Sequence, residues 1–356
     1  MASQLTGLTT APAYAKDANG GKTSGVSPQS GSRIPSLDGL RAVSILIVLL
    51  YHFSLVGRAA SFFKNFSTFG VQVFFVISGY LITTLLATER ERLGRVDLWA
   101  FYRRRIFRII PAAYCYFGFL FVLFWTEFRT VDIASLLTFT SNYNLGRPIN
   151  VAHIWSLSVE EQFYILWPIT LSLVFHHRVR ILLWAICLSP LFILGFHALH
   201  WNAYIGSAFP TSYDSLALGC IAAVLAPKLE FLRARWFFLS GPLAILLQWI
   251  PWTSRVSGLV HVLLLWPMTH LCIAIFVVHA IHRRYRLLNT KLFVWVGTLS
   301  YSLYLWHIPF LVEPRLTSRF SLIWIFACAA ASYYLVERPF LRLRKRMRRV
   351  GALNFA

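Results

Sequence analysis

Residues 38–52 read Asp38-Gly-Leu-Arg41-Ala-Val-Ser-Ile-Leu-Ile-Val-Leu-Leu-Tyr-His52. No charged residue falls between Arg41 and His52. The run is apolar enough to enter a bilayer as a helix. Arg41 and His52 stand eleven positions apart. At about 100° per residue that is about three turns plus 20°, so the two side chains share a face about 16 Å apart along the axis. A charge inside a membrane helix costs roughly 2.5–3.5 kcal/mol on insertion scales, which makes such residues the places to look for chemistry. Asp38, one turn before Arg41, is placed to pair with it. A purely structural account of the same face has Arg41 snorkelling to lipid headgroups and His52 at the interface.

The rest of the chain agrees with a membrane setting. It has 356 residues, of which 57% are hydrophobic and 13% charged. A soluble domain carries about 25% charged residues. An ordinary cytosolic enzyme, a disordered chain and a coiled coil are excluded on that ground. The predicted fold is all-α, a polytopic transmembrane helix bundle of about ten spans. They are placed at 38–57, 68–88, 106–126, 154–175, 180–196, 213–227, 236–251, 257–281, 292–312 and 318–336. The fifth, sixth and seventh are short for a span of about 20 residues. The segment 131–143 is expected to form a short re-entrant or interfacial helix.

Ten crossings put both termini on one side. The chain holds 34 Lys and Arg against 13 Asp and Glu, a net charge of +21. With the termini cytoplasmic, 27 of the 34 cations fall on inner segments and seven on outer ones, as the positive-inside rule requires. This excess is read as contact with the anionic lipid bilayer and not with nucleic acid, for which no basic groove motif exists. Residues 1–33, rich in Gly, Ser, Thr, Ala and Pro, lack a signal-peptide core and are read as a disordered cytoplasmic tail. The membrane-embedded domain is set at 34–340. A basic cytoplasmic tail at 341–356 includes Arg342, Arg344, Lys345, Arg346, Arg348 and Arg349. The five cysteines stand singly in apolar runs, so neither disulfides nor a metal site is expected.

Further polar groups interrupt the apolar runs. Arg105 and Arg108, in Tyr102-Arg-Arg-Arg105-Ile-Phe-Arg108-Ile-Ile-Pro111, share a helix face and form a phosphate clamp at a helix entrance. Ordinary cytoplasmic positive charge is the simpler account. His153-Ile-Trp155-Ser-Leu-Ser-Val-Glu160-Glu-Gln-Phe-Tyr164-Ile-Leu-Trp167 sets Glu160, Tyr164 and Trp167 on one face. A carboxylate there can orient a histidine or bind a hydroxylated acceptor. Tyr213-Asp214-Ser215 opens a span with an acid. Ser300-Tyr-Ser-Leu-Tyr-Leu-Trp-His307 brings His307 level with His52. His261 and His270 are read as packed histidines, and Gly70-Val-Gln72-Val-Phe-Phe-Val-Ile-Ser78-Gly-Tyr80 as a tight helix-packing face.

Taken in order, Ser36-Leu-Asp-Gly-Leu-Arg41 with His52, Phe74-Phe-Val-Ile-Ser-Gly-Tyr80, Arg105-Ile-Phe-Arg108-Ile-Ile-Pro111, Trp155-Ser-Leu-Ser-Val-Glu160-Glu-Gln-Phe-Tyr164 and Ser300 to His307 resemble the acyltransferase-3 family of integral membrane acyltransferases. The resemblance covers about residues 34–340. It implies transfer of an acyl group, usually acetyl, from cytosolic acyl-CoA to a hydroxyl of a carbohydrate or glycoside acceptor, in a bacterial inner membrane.

On that reading His52, Glu160 and Arg41 are catalytic, with His52 as general base. Arg105, Arg108 and Arg41 hold acyl-CoA, and Trp155, Tyr164, Asp214 and His307 bind the acceptor. No permanently bound cofactor is implied. Relatives often carry an acid where this chain has Gln72, and an Arg where it has Tyr213. A C-terminal hydrolase-like domain, present in some relatives, is not expected after Phe340. The competing class is a proton-coupled transporter of a small polar solute, which also uses intramembrane Arg, His and Glu. No pair of matching Pro- or Gly-broken helices marks the inverted repeats such a protein favours.

Overall fold

The computed structural model describes residues 34–56, 68–250 and 255–353. The expected N-terminal tail at 1–33 lies outside the described residues, as do 57–67, 251–254 and 354–356. Every regular element among the described residues is helical. In chain order they are α1 (Pro35–Val56), α2 (Phe69–Leu93), α3 (Leu98–Phe124), α4 (Thr130–Leu137), α5 (Ile154–Leu173), α6 (Arg178–Ala198), α7 (Phe209–Ser212) and α8 (Asp214–Leu225). There follow α9 (Ser240–Trp249), α10 (Arg255–Val260), α11 (Trp266–Arg283), α12 (Lys291–Val312), α13 (Ser321–Ala331) and α14 (Arg338–Leu353). Single π-helical stretches, His261–Leu265 and Ser332–Glu337, join α10 to α11 and α13 to α14.

Local chemistry sets several of these ends. Gly94 closes α2 at φ 69°, its N–H returning to Arg90 O. Asp97 caps α3 by accepting from Ala100 N at 2.9 Å. The eight residues of α4 reach about 12 Å, too short to cross a bilayer core of about 30 Å. Asp132, in its first turn, ties it down: it accepts from Arg129 N, Nε and NH2 at 2.9, 2.9 and 2.8 Å, and from Asn144 Nδ2 at 2.7 Å.

Five helices among the described residues are long and apolar enough to cross a membrane, lying in Pro35–Phe53, Phe69–Leu93, Leu98–Glu127, Phe175–Ala198 and Gly258–Arg283. α5 and α12 have the length, at 20 and 22 residues, but are not among these five. Two expected spans are shorter than their apolar stretches. α8 has 12 residues because the chain tightens to a 3₁₀ turn at Ala226–Lys228, where Pro227 has no N–H to continue an α-helix. α9 has 10 because Arg235–Leu239 is also wound as 3₁₀.

α2 is the central helix: 78% of its apolar window is buried, against 17% for α6 at the periphery. It packs along α8 through a reciprocal glycine contact. A methyl group on Gly79 would lie 2.0 Å from Leu216 O, and one on Gly219 2.1 Å from Val76 O. Only two bare Cα atoms let the backbones come so close. α1 packs along α12 in the same way, with Gly297 against Asp38 O. One apolar core gathers α1, α2, α3, α5 and α12, and a second gathers α1, α2, α9 and α11. The larger polar cavity lies within the first of these cores.

Candidate active site

A cavity with about 670 Å³ of empty space opens among α1, α2, α3, α5 and α12. Each helix delivers its polar residue by simple periodicity. Arg41 comes from the first third of α1, Arg105 and Arg108 from successive turns of α3, and Ser156, Glu160 and Tyr164 from positions i, i+4 and i+8 of α5. Ser300, Tyr301 and Tyr304 come from α12, and Ser78 from α2.

The carboxylate of Glu160 is held from two sides. Ser78 Oγ donates to Glu160 Oε1, and Tyr164 OH donates to the same oxygen at 2.7 Å. The guanidinium of Arg105 lies over the Tyr164 ring, 4.6 Å from its centroid, and 5.6 Å from that of Phe101. Arg41 stands 4.0 Å from Asp38, both side chains mostly buried. Three guanidinium groups thus line one cavity with one carboxylate, an arrangement suited to a multiply charged anion such as a phosphate.

Tyr304 is a wall of this cavity. Its hydroxyl donates to His153 O at 2.8 Å and lies 2.5 Å from Ser156 Oγ. Beyond it comes a group of imidazoles. His307 packs on Tyr304 with centroids 5.4 Å apart, on His153 at 5.0 Å and on His52 at 4.8 Å. His52 donates its Nδ1–H to Val48 O at 2.9 Å, which leaves Nε2 as the basic nitrogen. His307 uses Nδ1 on Tyr304 O, at 2.7 Å. Nε2 of His307 is buried with no hydrogen-bond partner among the described residues. The rings meet at steep angles, and among the described residues no group of three or more His, Cys, Asp or Glu could hold a metal ion.

Of the residues singled out in the sequence, Arg41, Arg105, Arg108, Glu160 and Tyr164 therefore share one cavity. His52 and His307 do not line it; they adjoin it through Tyr304. Trp155 and Asp214 line a separate, smaller cavity. Trp155 is five residues before Glu160, about 140° around α5, and so faces elsewhere. His270, read as a packed histidine, is the hydrogen-bond partner of Asp214 at 2.8 Å. Gly70 to Tyr80 combines both roles: its glycines pack helices, whereas Val71, Phe74, Phe75 and Ser78 line the cavity. Ser156, Tyr301, Tyr304 and His153 were not distinguished in the sequence. Only the four-residue spacing of Ser156 from Glu160 and of Ser300 from Tyr304 marks them.

The chain also resembles known proteins over most of its length. The family profile described as "Acyltransferase domain" matches residues 34–341. The chain is similar to the peptidoglycan O-acetyltransferase OatA of Listeria monocytogenes, at 30% identity over 90% of this chain and 57% of that protein. It is also similar to the O-acetyltransferase OatA of Staphylococcus aureus, at 28% identity over 78% of this chain and 51% of that protein. The chain thus spans about half the length of the curated relatives it matches. No solved structure matches it. The profile covers α1 to α13 and every residue of the cavity, and the chain belongs to the acyltransferase-3 family of integral membrane acyltransferases.

Proposed function

We propose that the protein O-acylates a carbohydrate or glycoside, taking an acyl group, most simply acetyl, from cytosolic acyl-CoA. The observation that carries this reading is the convergence of Arg41, Arg105 and Arg108 with Glu160 on one cavity whose wall includes Tyr304, against which the imidazole of His307 packs. Both named relatives are O-acetyltransferases, one of them named for peptidoglycan, which makes a cell-wall glycan the first acceptor class to test.

In this proposal the phosphates of acyl-CoA rest on Arg105, Arg108 and Arg41, and the pantetheine arm runs along the cavity towards Tyr304. The acceptor oxygen attacks the thioester carbonyl. Its proton passes to His52 Nε2, the C–S bond breaks, and the departing thiolate takes up a proton to leave as free CoA thiol. Glu160, fixed by Ser78 and Tyr164, balances the guanidinium charge and orients the reacting groups. A route through an acyl-histidine is the variant of this mechanism in which His52 attacks first.

The same reading carries the topology. Ten crossings with cytoplasmic termini, in a bacterial inner membrane, put Arg105 and Arg108 near the donor's side and His52 near the acceptor's side. The basic segment 341–356 then faces anionic lipid. Purified protein in proteoliposomes, given radiolabelled acetyl-CoA and solubilised glycan strands, tests the whole. Free thiol and glycan ester are expected to form in equal amounts. A transporter would move solute with no thiol released, and that outcome would replace this reading.

A further inference from the structure

Acyl transfer from a thioester to a hydroxyl carries one proton from oxygen to sulfur. The acceptor loses it and the departing thiolate gains it, with no net uptake or release. The proposed base, His52, does not line the arginine-lined cavity, whereas Tyr304 does. Arg41, which also lines it, stands eleven residues before His52, about 16 Å back along α1. A group that returns the proton to a thiolate in the cavity has to bridge His52 and the cavity wall.

His307 stands in that place. On α12 it lies three residues beyond Tyr304, about one turn, and its ring packs on Tyr304 at 5.4 Å and on His52 at 4.8 Å. It is 0% exposed. Its Nδ1–H donates to Tyr304 O at 2.7 Å, which fixes the tautomer and leaves Nε2 with a lone pair. That Nε2 is buried with no hydrogen-bond partner among the described residues. A buried polar atom left open in this way is rare and calls for a function. The titratable rings packed on His307 are His52 of α1, His153 ahead of α5 and Tyr304 of its own helix; Tyr116 of α3 stands behind His153 at 5.8 Å.

We propose that His307 is a proton relay between His52 and the leaving thiolate, using Nε2 while Nδ1 stays tied to its own helix. The acceptor O–H bond breaks as His52 Nε2 takes the proton, and the C–O bond forms. The proton passes from His52 Nε2 to His307 Nε2. The C–S bond breaks, and His307 Nε2 gives the proton to sulfur, so that ester and free thiol leave with both imidazoles neutral again. No further reactant is consumed. The relay rests on the proposed acyl transfer, and it gives His307 a role in the chemistry in place of the acceptor contact expected for it.

The test uses full-length protein in proteoliposomes, with acetyl-CoA and solubilised glycan strands, reading free thiol and glycan ester. His307→Gly is expected to lower kcat about a hundredfold, the low end for lost acid–base catalysis, with the KM for acetyl-CoA within about twofold. Added imidazole should restore kcat roughly tenfold, whereas pyrazole, of the same shape but almost without basicity, should not. His307→Gln fills the space and cannot carry a proton, so it should lose as much as His307→Gly. Equal rescue by both azoles, or full kcat in His307→Gln, marks a packing role and overturns the relay while acyl transfer stands. Should His307→Gly not fold, or admit neither azole, the dependence of kcat on the fraction of D₂O decides. A curve in the wild type that straightens in His307→Gln supports the relay, and the same shape in both overturns it. Wild-type protein that releases no thiol overturns the acyl-transfer reading and the relay with it.

Discussion

The imidazoles of His52 and His307 meet edge to face, 4.8 Å between centroids and 67° between planes. This contact joins α1 to α12, and His307 in turn packs on Tyr304, which lines the arginine-lined cavity. His52 therefore communicates with that cavity across one buried ring and does not stand in it.

For a general base, removal typically costs 10²–10⁴ in rate. His52→Ala is expected to lower acyl transfer by roughly that factor while the protein still inserts and binds acetyl-CoA. Radiolabel retained on wild-type protein but absent from His52→Ala would identify the acyl-histidine route. Normal turnover in His52→Ala would remove His52 from the mechanism.

Glu160 Oε1 accepts from both Ser78 and Tyr164. Hydrogen bonds to a charged group contribute about 1.5–3 kcal/mol each, so Tyr164→Phe should reduce kcat by roughly 10–100-fold. Glu160→Gln keeps the shape and discards the charge, and is expected to cost at least as much. Steady-state kinetics on the two variants and their double mutant would show strong non-additivity, because the residues act on one oxygen. Additive losses would place them in separate roles.

Arg105→Lys and Arg108→Lys preserve charge but lose the planar fork that grips a phosphate. Each should raise the KM for acetyl-CoA by roughly tenfold, consistent with about 1.4 kcal/mol of lost contact, and leave the acceptor KM unchanged. A rise confined to the acceptor would contradict the assignment of this cavity to the donor.

The α2–α8 contact predicts a stability effect with an internal control. A methyl group at Gly79 or Gly219 meets backbone at about 2 Å. Overpacking of this kind costs about 1–3 kcal/mol. Gly118, on α3, has nothing within 4 Å of the added methyl. Thermal unfolding in detergent should show Gly79→Ala and Gly219→Ala melting below the wild type, with Gly118→Ala unchanged or slightly higher. Equal midpoints for all three would show that α2 and α8 are not in close contact.

Asp132 supplies the pH prediction. The side-chain hydrogen bonds of Arg129 are the main cause that lowers its pKa from 3.8 to about 2. Since the folded value lies below the unfolded one, the stabilisation is fully present above 3.8 and is lost as pH falls through about 2. The protection of amides across 129–146 from hydrogen exchange, relative to the unfolded chain at the same pH, should stay high at pH 4 and fall towards pH 2. Asp132→Asn should be less protected throughout, with no such step. A step at or above pH 4 in the wild type would mean that this network does not form.

Much of the bundle could be read from local patterns. Apolar runs the length of a bilayer announce α1, α2 and α3, and charges inside them are conspicuous because they are costly. The same logic found Arg41, Arg105, Arg108, Glu160 and Tyr164, which share a cavity because each recurs at helical spacing. Trp155 joins Tyr164 as an acceptor residue only through the family resemblance, whereas its angle around α5 sends it to the other cavity. The pairing of Asp214 with His270 bridges 56 positions and depends on how α8 meets α11, which no local spacing encodes. The lengths of α8 and α9 also escaped, since apolar composition does not distinguish an α-turn from a 3₁₀ turn.

Phe75 and Val71 border both cavities. These two side chains thus stand between the arginine-lined chamber and its smaller neighbour, which no described Lys or Arg lines. On the proposed reading, their bulk keeps stray solvent in the smaller chamber from reaching the thioester. Trimming Phe75 would breach that barrier and turn an ester-forming catalyst into a wasteful thioesterase, so that selectivity against hydrolysis would rest on steric thickness at one position.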